Sequence, residues 1–204
     1  MNSKIFILGA GGHTRSLVNL LEHYNYTIGG IYDDNFDIAK NEVINTYKVL
    51  GKLDELEQDI LTVLSFGNAQ KRKQLFLQLN NQVLETNLIH PKATIEKYFN
   101  SGSSNQIFAN VYINSNVTIG SNNIINTGSI LEHEVTIGSH NHVSVGSVIC
   151  GRVTIENGCF IGAGATIIDK LTITDDVIIG ANSVVVNNIE QPGTYVGNPA
   201  RRVK

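Results

Sequence analysis

From Asn110 to Asn187 the apolar positions recur every six residues, a period that suits neither a helix at 3.6 nor a flat strand at two. Written as NVYINS, NVTIGS, NNIINT and onwards, the fourth place of each hexad is Ile113, Ile119, Ile125, Leu131, Ile137, Val143, Ile149, Ile155, Ile161, Ile167, Ile173, Ile179 and Val185. Every one is a branched aliphatic. The frame extends backwards to Ile107 and Ile95 with a break at Ser101, so the array is expected to begin between Lys92 and Ser104 and to end near Asn187. Six residues make one short strand and the turn that bends the chain, and three hexads close a triangular coil. Stacked coils form a parallel β-helix with the fourth-place aliphatics inside. The second places are mostly Val or small residues such as Ser147, Cys159 and Ala165, as expected where side chains must fit at corners. Gly120, Gly138, Gly162 and Gly180 follow fourth-place residues, where a turn is expected to need positive φ.

The first half follows another pattern. Lys4 to Leu8 is an apolar strand that runs into Gly9-Ala10-Gly11-Gly12-His13, and Leu17, Val18, Leu20 and Leu21 then recur at helical spacing. Tyr26 to Tyr32 reads as a second strand ending in Asp33-Asp34, and Ile60 to Phe66 as a third ending in Gly67-Asn68. A helix over Ala69 to Leu79 and a strand from Val83 to Ile89 complete this part, and His90-Pro91 marks its end. The reading is an α/β Rossmann-like βαβ domain over residues 1–91, then the β-helix with a C-terminal tail over 92–204.

Composition agrees with strands and turns: 16% of residues are charged, 19 are Gly, 3 are Pro and none is Trp. Fifteen Lys and Arg against 18 Asp and Glu give a net charge of -3, which supplies no basic field for a nucleic acid. No stretch has the length of a membrane span and no leader-like pattern opens the chain, so a cytoplasmic protein is expected. Cys150 and Cys159 are too few for a disulfide framework and lack zinc spacing; both are expected to be buried apolar residues.

Gly9 and Gly11 match the first two glycines of a dinucleotide fingerprint, but Thr14 holds the third place. The turn still offers backbone amides at a helix N-terminus to a phosphate, and Asp33 and Asp34 stand where a nucleoside would be held; solvated acids beside a tight turn are the plainer alternative. In the second half His133 has a carboxylate, Glu134, beside it, the arrangement that orients an imidazole and stabilises its protonated form. His142 follows nine residues later, half a coil away, so the two belong to different faces or meet across an interface between prisms. His140 completes a possible metal trio, but its spacing to His142 argues against convergence, and no metal is expected.

The segments GAGGH, YDD, FGN, IHP, EHE, HVSVG and VGNPAR occur in one order along nearly the whole chain, which resembles the bacterial sugar acyltransferases of the left-handed β-helix hexapeptide group. The resemblance is to the branch that N-acetylates nucleotide-linked 4-amino-4,6-dideoxy sugars, with relatives that O-acetylate sialic acids. It implies a homotrimer that binds acetyl-CoA between neighbouring prisms and serves surface glycan synthesis. By similarity, His133 is the general base and Glu134 orients it, while Asn126 and His142 lie near the thioester and the Gly151 amide holds the oxyanion. Gly180, Gly197, Pro199, Ala200 and Arg201 would line the rest of the cofactor. Gly11, Gly12, His13, Asp33, Asp34, Gly67 and Asn68 would contact the nucleotide sugar. The hexads run unbroken from Asn110 to Asn187, with no inserted loop to cover an acceptor, which leaves the N-terminal domain to hold it. Sialic acid O-acetylation, a non-catalytic nucleotide-sugar sensor and a zinc hydratase are the alternative readings.

Overall fold

The computed structural model describes residues 3–204, which divide into two compact units between Glu85 and Thr86. In the first unit a five-stranded sheet contains β1 (Lys4–Leu8), β2 (Thr27–Tyr32), β3 (Val43–Ile44), β4 (Tyr47–Gly51) and β5 (Leu61–Leu64), in the order β3-β4-β2-β1-β5. All neighbours are parallel except the β3/β4 hairpin. Ile5, Phe6, Ile7 and Leu8 are all buried because β1 is central and covered on both faces. Helix α1 (Gly12–Leu21) buries Leu17, Val18, Leu20 and Leu21, and α2 (Ala69–Leu79) sets Leu75 against Leu8, Leu64 and Val83.

The strand expected over Val83 to Ile89 does not exist as one element. Val83 makes a single bridge to Thr62 in the first unit. Leu88–Ile89 belongs to the second, where the N–H groups of Leu88 and His90 donate to the Asn105 and Ile107 carbonyls at 2.8 Å. The first rung therefore precedes the expected start at Lys92, and the units part six residues before His90-Pro91.

The second unit is a parallel β-helix. Each rung pairs residue for residue with the one 18 further on, as in Ile113, Leu131, Ile149, Ile167 and Val185. Three sheets result: the first face starts at Leu88–Ile89, the second at Thr94–Ile95 and the third at Asn100–Ser101. Ser101 interrupts the aliphatic pattern yet keeps its rung, because Asn100–Ser101 is the edge strand of the third face. The fourth-place aliphatics from Ile107 to Val185 form one continuous core.

The corners are set by hydrogen bonds and by backbone handedness. Every sixth residue from Tyr98 to Asn182 has positive φ, and Asn and Gly fill four of these positions each. These are the first places of the hexads. Gly120, Gly138, Gly162 and Gly180 are absent from that set, contrary to expectation. Their reason is contact: a methyl group on Gly162 would stand 2.5 Å from the Ala181 nitrogen, and one on Gly138 would stand 2.9 Å from the Glu156 carbonyl oxygen. Inside the corner between the third and first faces, Asn87, Asn105, Asn123 and Asn141 form a ladder in which each side-chain oxygen accepts the N–H of the residue 18 further on. The last of these acceptances is from Cys159. The sheet of the first face closes with Gly193–Val196, parallel to Val177–Ile179, and the returning strand Arg201–Arg202.

Candidate active site

In the first unit the glycine turn is fixed from behind. Gly9 has φ 111 and packs on the Ser65 carbonyl, so a side chain there would stand 2.9 Å from that oxygen. Thr14 takes the place of the fingerprint's third glycine for a chemical reason: its buried hydroxyl donates to the Gly9 carbonyl at 2.7 Å and meets the Ser65 hydroxyl at 2.9 Å. Gly11 caps α1 without a side-chain bond, and no atom lies within 4 Å of where a methyl group would stand on Gly11 or Gly12. The turn is therefore open to a ligand at these two residues and at the start of the helix that carries His13. Asp33 is committed to the fold, since its carboxylate accepts the Ala10 N–H at 2.7 Å and the Asn35 N–H at 2.8 Å. Asp34 pairs with Lys71 at 3.0 Å beside a cavity of about 220 Å³ floored by Leu8, Leu53, Leu56 and Leu75. Asn68 caps α2 through the Lys71 N–H at 2.9 Å. Buried Arg72 donates to the Phe66 carbonyl at 2.7 Å and so secures the turn through Gly67; burial lowers its guanidinium to about 9.

In the second unit His133 and Glu134 occupy the corner between the second and third faces. His133 Nδ1 stands 3.0 Å from Glu134 Oε2. A carboxylate only accepts, so Nδ1 donates, and in the neutral ring Nε2 then keeps its lone pair. Glu134 sits at one of the positive-φ positions, with φ 60, which Asn and Gly would occupy at less cost. The imidazole lies over buried Gly151, one coil on: a methyl group there would stand 2.6 Å from Cε1 and 2.7 Å from Nε2. Among the described residues nothing accepts the Gly151 N–H, which is thus available to a developing oxyanion. One further coil on is Asp169, whose Oδ1 would stand 3.1 Å from the same methyl group. Arg152 Nη2 donates to both oxygens of Asp169, at 3.0 and 2.9 Å.

Asn126 and His142 come together elsewhere on the prism. Asn126 begins the corner between the first and second faces and His142 lies on the first face, with Asn126 Nδ2 3.3 Å from His142 Nε2. The Phe160 ring meets His142 edge-on at 5.1 Å between centroids. Gly180, Gly197, Pro199, Ala200 and Arg201 gather at the last coil, where the Gly180 N–H donates to Tyr195, the Ala200 N–H to Val184, and Gly197 has φ 102. A half-open cavity of about 190 Å³ lies there between Val185 to Ile189 and the returning strand.

The cysteines differ from each other. Cys159 is buried and its thiol donates to the Thr174 carbonyl at 3.1 Å; burial pushes it up to about 12, so it is no nucleophile. Cys150, expected to be buried, is only half-buried, and burial followed by the charges of Glu132 and Asp169 raises its thiol. His133, His140 and His142 stand on two different corners and a face, and among the described residues no three His, Cys, Asp or Glu side chains group as metal ligands. Sequence reading missed Asp169 and Arg152. Counting coils of 18 residues from His133 through Gly151 would have reached Asp169.

Residues 4–79 match the PglD N-terminal domain and residues 152–187 match the bacterial transferase hexapeptide family of six repeats. No curated protein matches the chain. Among solved structures, PerB from Caulobacter crescentus, in complex with CoA and GDP-perosamine, is 28% identical with a TM-score of 0.88 over 99% of this chain and 98% of that one. The H141N mutant of perosamine N-acetyltransferase from Caulobacter crescentus, with the same ligands, is 27% identical with a TM-score of 0.89 over 99% and 97%. The acetyltransferase domain of PglB from Neisseria gonorrhoeae, in complex with acetyl coenzyme A, is 26% identical with a TM-score of 0.86 over 100% of each chain. The resemblance read from the motifs is thus matched on both units: the first is similar to the PglD N-terminal domain, and the second, a left-handed β-helix, to the bacterial transferase hexapeptide repeats.

Proposed function

We propose that this protein is an acetyl-CoA-dependent sugar N-acetyltransferase whose acceptor is a nucleotide-linked 4-amino-4,6-dideoxy sugar destined for surface glycan. The observation that carries the reading is the His133–Glu134 pair, with the Nε2 edge of the imidazole over Gly151, in a chain that follows GDP-perosamine-binding and acetyl-CoA-binding relatives from end to end. The first unit supports the assignment of the nucleotide to its glycine turn, where Gly11 and Gly12 leave room for close approach and the amides at the start of α1 face a phosphate.

The chemistry is direct transfer. The sugar amine attacks the acetyl carbonyl carbon, and His133 Nε2 takes one of its protons as the C–N bond forms. The Gly151 N–H stabilises the carbonyl oxygen as charge develops on it. The C–S bond then breaks and the proton passes to the departing thiolate of CoA. Glu134 acts through the imidazole, which it holds in the productive tautomer. Asn126 and His142 support binding of the thioester end, and the last coil with Gly180, Gly197, Pro199, Ala200 and Arg201 supports binding of the rest of the cofactor. Assembly as a homotrimer and a cytoplasmic place belong to the same proposal. Among the described residues no helix is long and apolar enough to cross a membrane.

The test is a panel of UDP-, dTDP- and GDP-linked 4-amino sugars beside free sialic acid, incubated with acetyl-CoA while free thiol is followed. Thiol release with a 4-amino sugar is expected; release with sialic acid alone would replace N-acetylation by O-acetylation. With the preferred sugar, His133→Ala is expected to lower kcat by about 10²- to 10⁴-fold, the range of a positioned general base, with acetyl-CoA and sugar affinity nearly unchanged. Glu134→Ala should lose less. Wild-type kcat in His133→Ala would place the base elsewhere.

A further inference from the structure

The acceptor nitrogen of a primary amine differs from a hydroxyl in one countable respect: it carries two hydrogens that can be donated while it attacks, and a hydroxyl carries one. A site with two acceptors facing the attacking atom therefore distinguishes them. His133 Nε2 is one such acceptor. Asp169 Oδ1 faces the same space beside Gly151, since a single methyl group on that glycine would stand 2.7 Å from Nε2 and 3.1 Å from Oδ1. The two acceptor atoms are thus less than about 6 Å apart, and the two diverging N–H bonds of one amine nitrogen reach acceptors about 5 Å apart.

We infer that Asp169 is the residue that selects an amine over a hydroxyl acceptor: it takes the second N–H of the sugar amine while His133 takes the first. The inference rests on the N-acetyltransferase reading and deepens it. Arg152 holds Asp169 in place by donating to both of its oxygens, and each carboxylate oxygen keeps a further lone pair. Lys170, at 3.8 Å from the same carboxylate, is the other cation near it. The corner also carries Glu132, which accepts from Asn114 at 2.7 Å, and Glu134, already bonded to His133. Three carboxylates therefore stand with two cations at this corner. On transfer the proton bound for His133 leaves the nitrogen, and the proton on Asp169 stays in the product as the amide N–H. A hydroxyl acceptor satisfies His133 but has no second hydrogen for the Asp169 lone pair that Arg152 leaves open, so it forgoes one hydrogen bond that the amine makes.

The experiment compares a nucleotide-linked 4-amino sugar with its 4-hydroxy counterpart, by turnover with acetyl-CoA and by equilibrium binding, in wild type, Asp169→Leu and Asp169→Asn. Asp169→Leu is expected to lower kcat/KM for the amino sugar by about 10- to 100-fold while the hydroxy sugar and the KM for acetyl-CoA stay within twofold. Asp169→Asn keeps an accepting oxygen and should retain most of the preference. Melting temperatures within a few degrees of wild type exclude a folding cause. An unchanged amine-to-hydroxyl ratio in Asp169→Leu overturns the assignment, and so does a rise in the KM for acetyl-CoA, which would place Asp169 against the cofactor. A wild type that neither binds nor acetylates any amino sugar instead removes the underlying reading.

Discussion

At Gly151 a methyl group would overlap the His133 ring, 2.6 Å from Cε1, although the backbone there is not in the left-handed region and alanine meets no conformational barrier. Gly151→Ala therefore separates catalysis from folding. The side chain most able to yield is the imidazole, which is 44% exposed and held by one bond to Glu134. The variant is expected to fold with a melting temperature close to wild type and to lose about 10- to 100-fold in kcat, because a displacement near 1 Å of a catalytic group costs that much. Wild-type kcat in Gly151→Ala would mean that the base works from a different rotamer. The backbone at Glu134 carries a related lesson. At φ 60 a glutamate is a poor choice for the corner, and asparagine fills the same position at residue 116, one coil earlier. A residue kept against its backbone preference is retained for its side chain.

At the scale of the rung, two substitutions probe the inside and the corner. Ile155→Asp puts a carboxylate into a fully buried column with no donor to meet it, costs several kcal/mol and should abolish soluble protein. Asn157→Asp looks innocent in the sequence, as a polar residue in a turn, but Asn157 Nδ2 and its backbone N–H both donate to Asp175 Oδ1, at 3.0 and 2.7 Å. A second carboxylate in that place faces the first, so the variant is expected to melt several degrees lower at pH 7, from a loss of about 1–3 kcal/mol. Equal melting of Asn157→Asp and wild type would show that the Asn157–Asp175 contact contributes nothing. This contrast marks what a linear pattern conveys. Ile155 and its column were legible because burial is a property of one residue's own chemistry repeated at a fixed interval. The ladder was not, since it depends on residues 18 apart, and neither was the reason for Gly138 and Gly162, which answers to the approach of the next coil instead of local φ. The rung at Leu88–Ile89 was lost to His90-Pro91 for a similar cause: a proline is a strong local boundary signal, but pairing with Gln106–Ile107 is set from a distance. His133 and Glu134 were legible as adjacent residues, whereas Asp169, two coils away, became visible only in three dimensions.

At the scale of the whole molecule, the parts assigned to one reaction stand on separate edges of a single prism. His133, Glu134 and Gly151 lie on the corner between the second and third faces, and Asn126 with His142 lies at the other border of the second face. The outward residues of that second face include Ile130, Val148 and Val184, and its corners expose Val145, Ile168 and Val186. An apolar face bordered by two incomplete half-sites is matched by a heterologous contact that brings one edge of a copy to the other edge of the next, and three prisms close such a contact into a ring. The expected solution mass is three times 22.2 kDa. The sharper test mixes two variants. His133→Ala and His142→Ala chains, each impaired alone, are co-expressed; if each site draws His133 from one copy and His142 from its neighbour, random mixing in a ring restores roughly a quarter of the sites. Sites built within one chain would recover nothing, since every chain in the mixture lacks one of the two histidines. A trimer without recovery would therefore keep the assembly and reject the shared site, and a monomer with full activity would reject both.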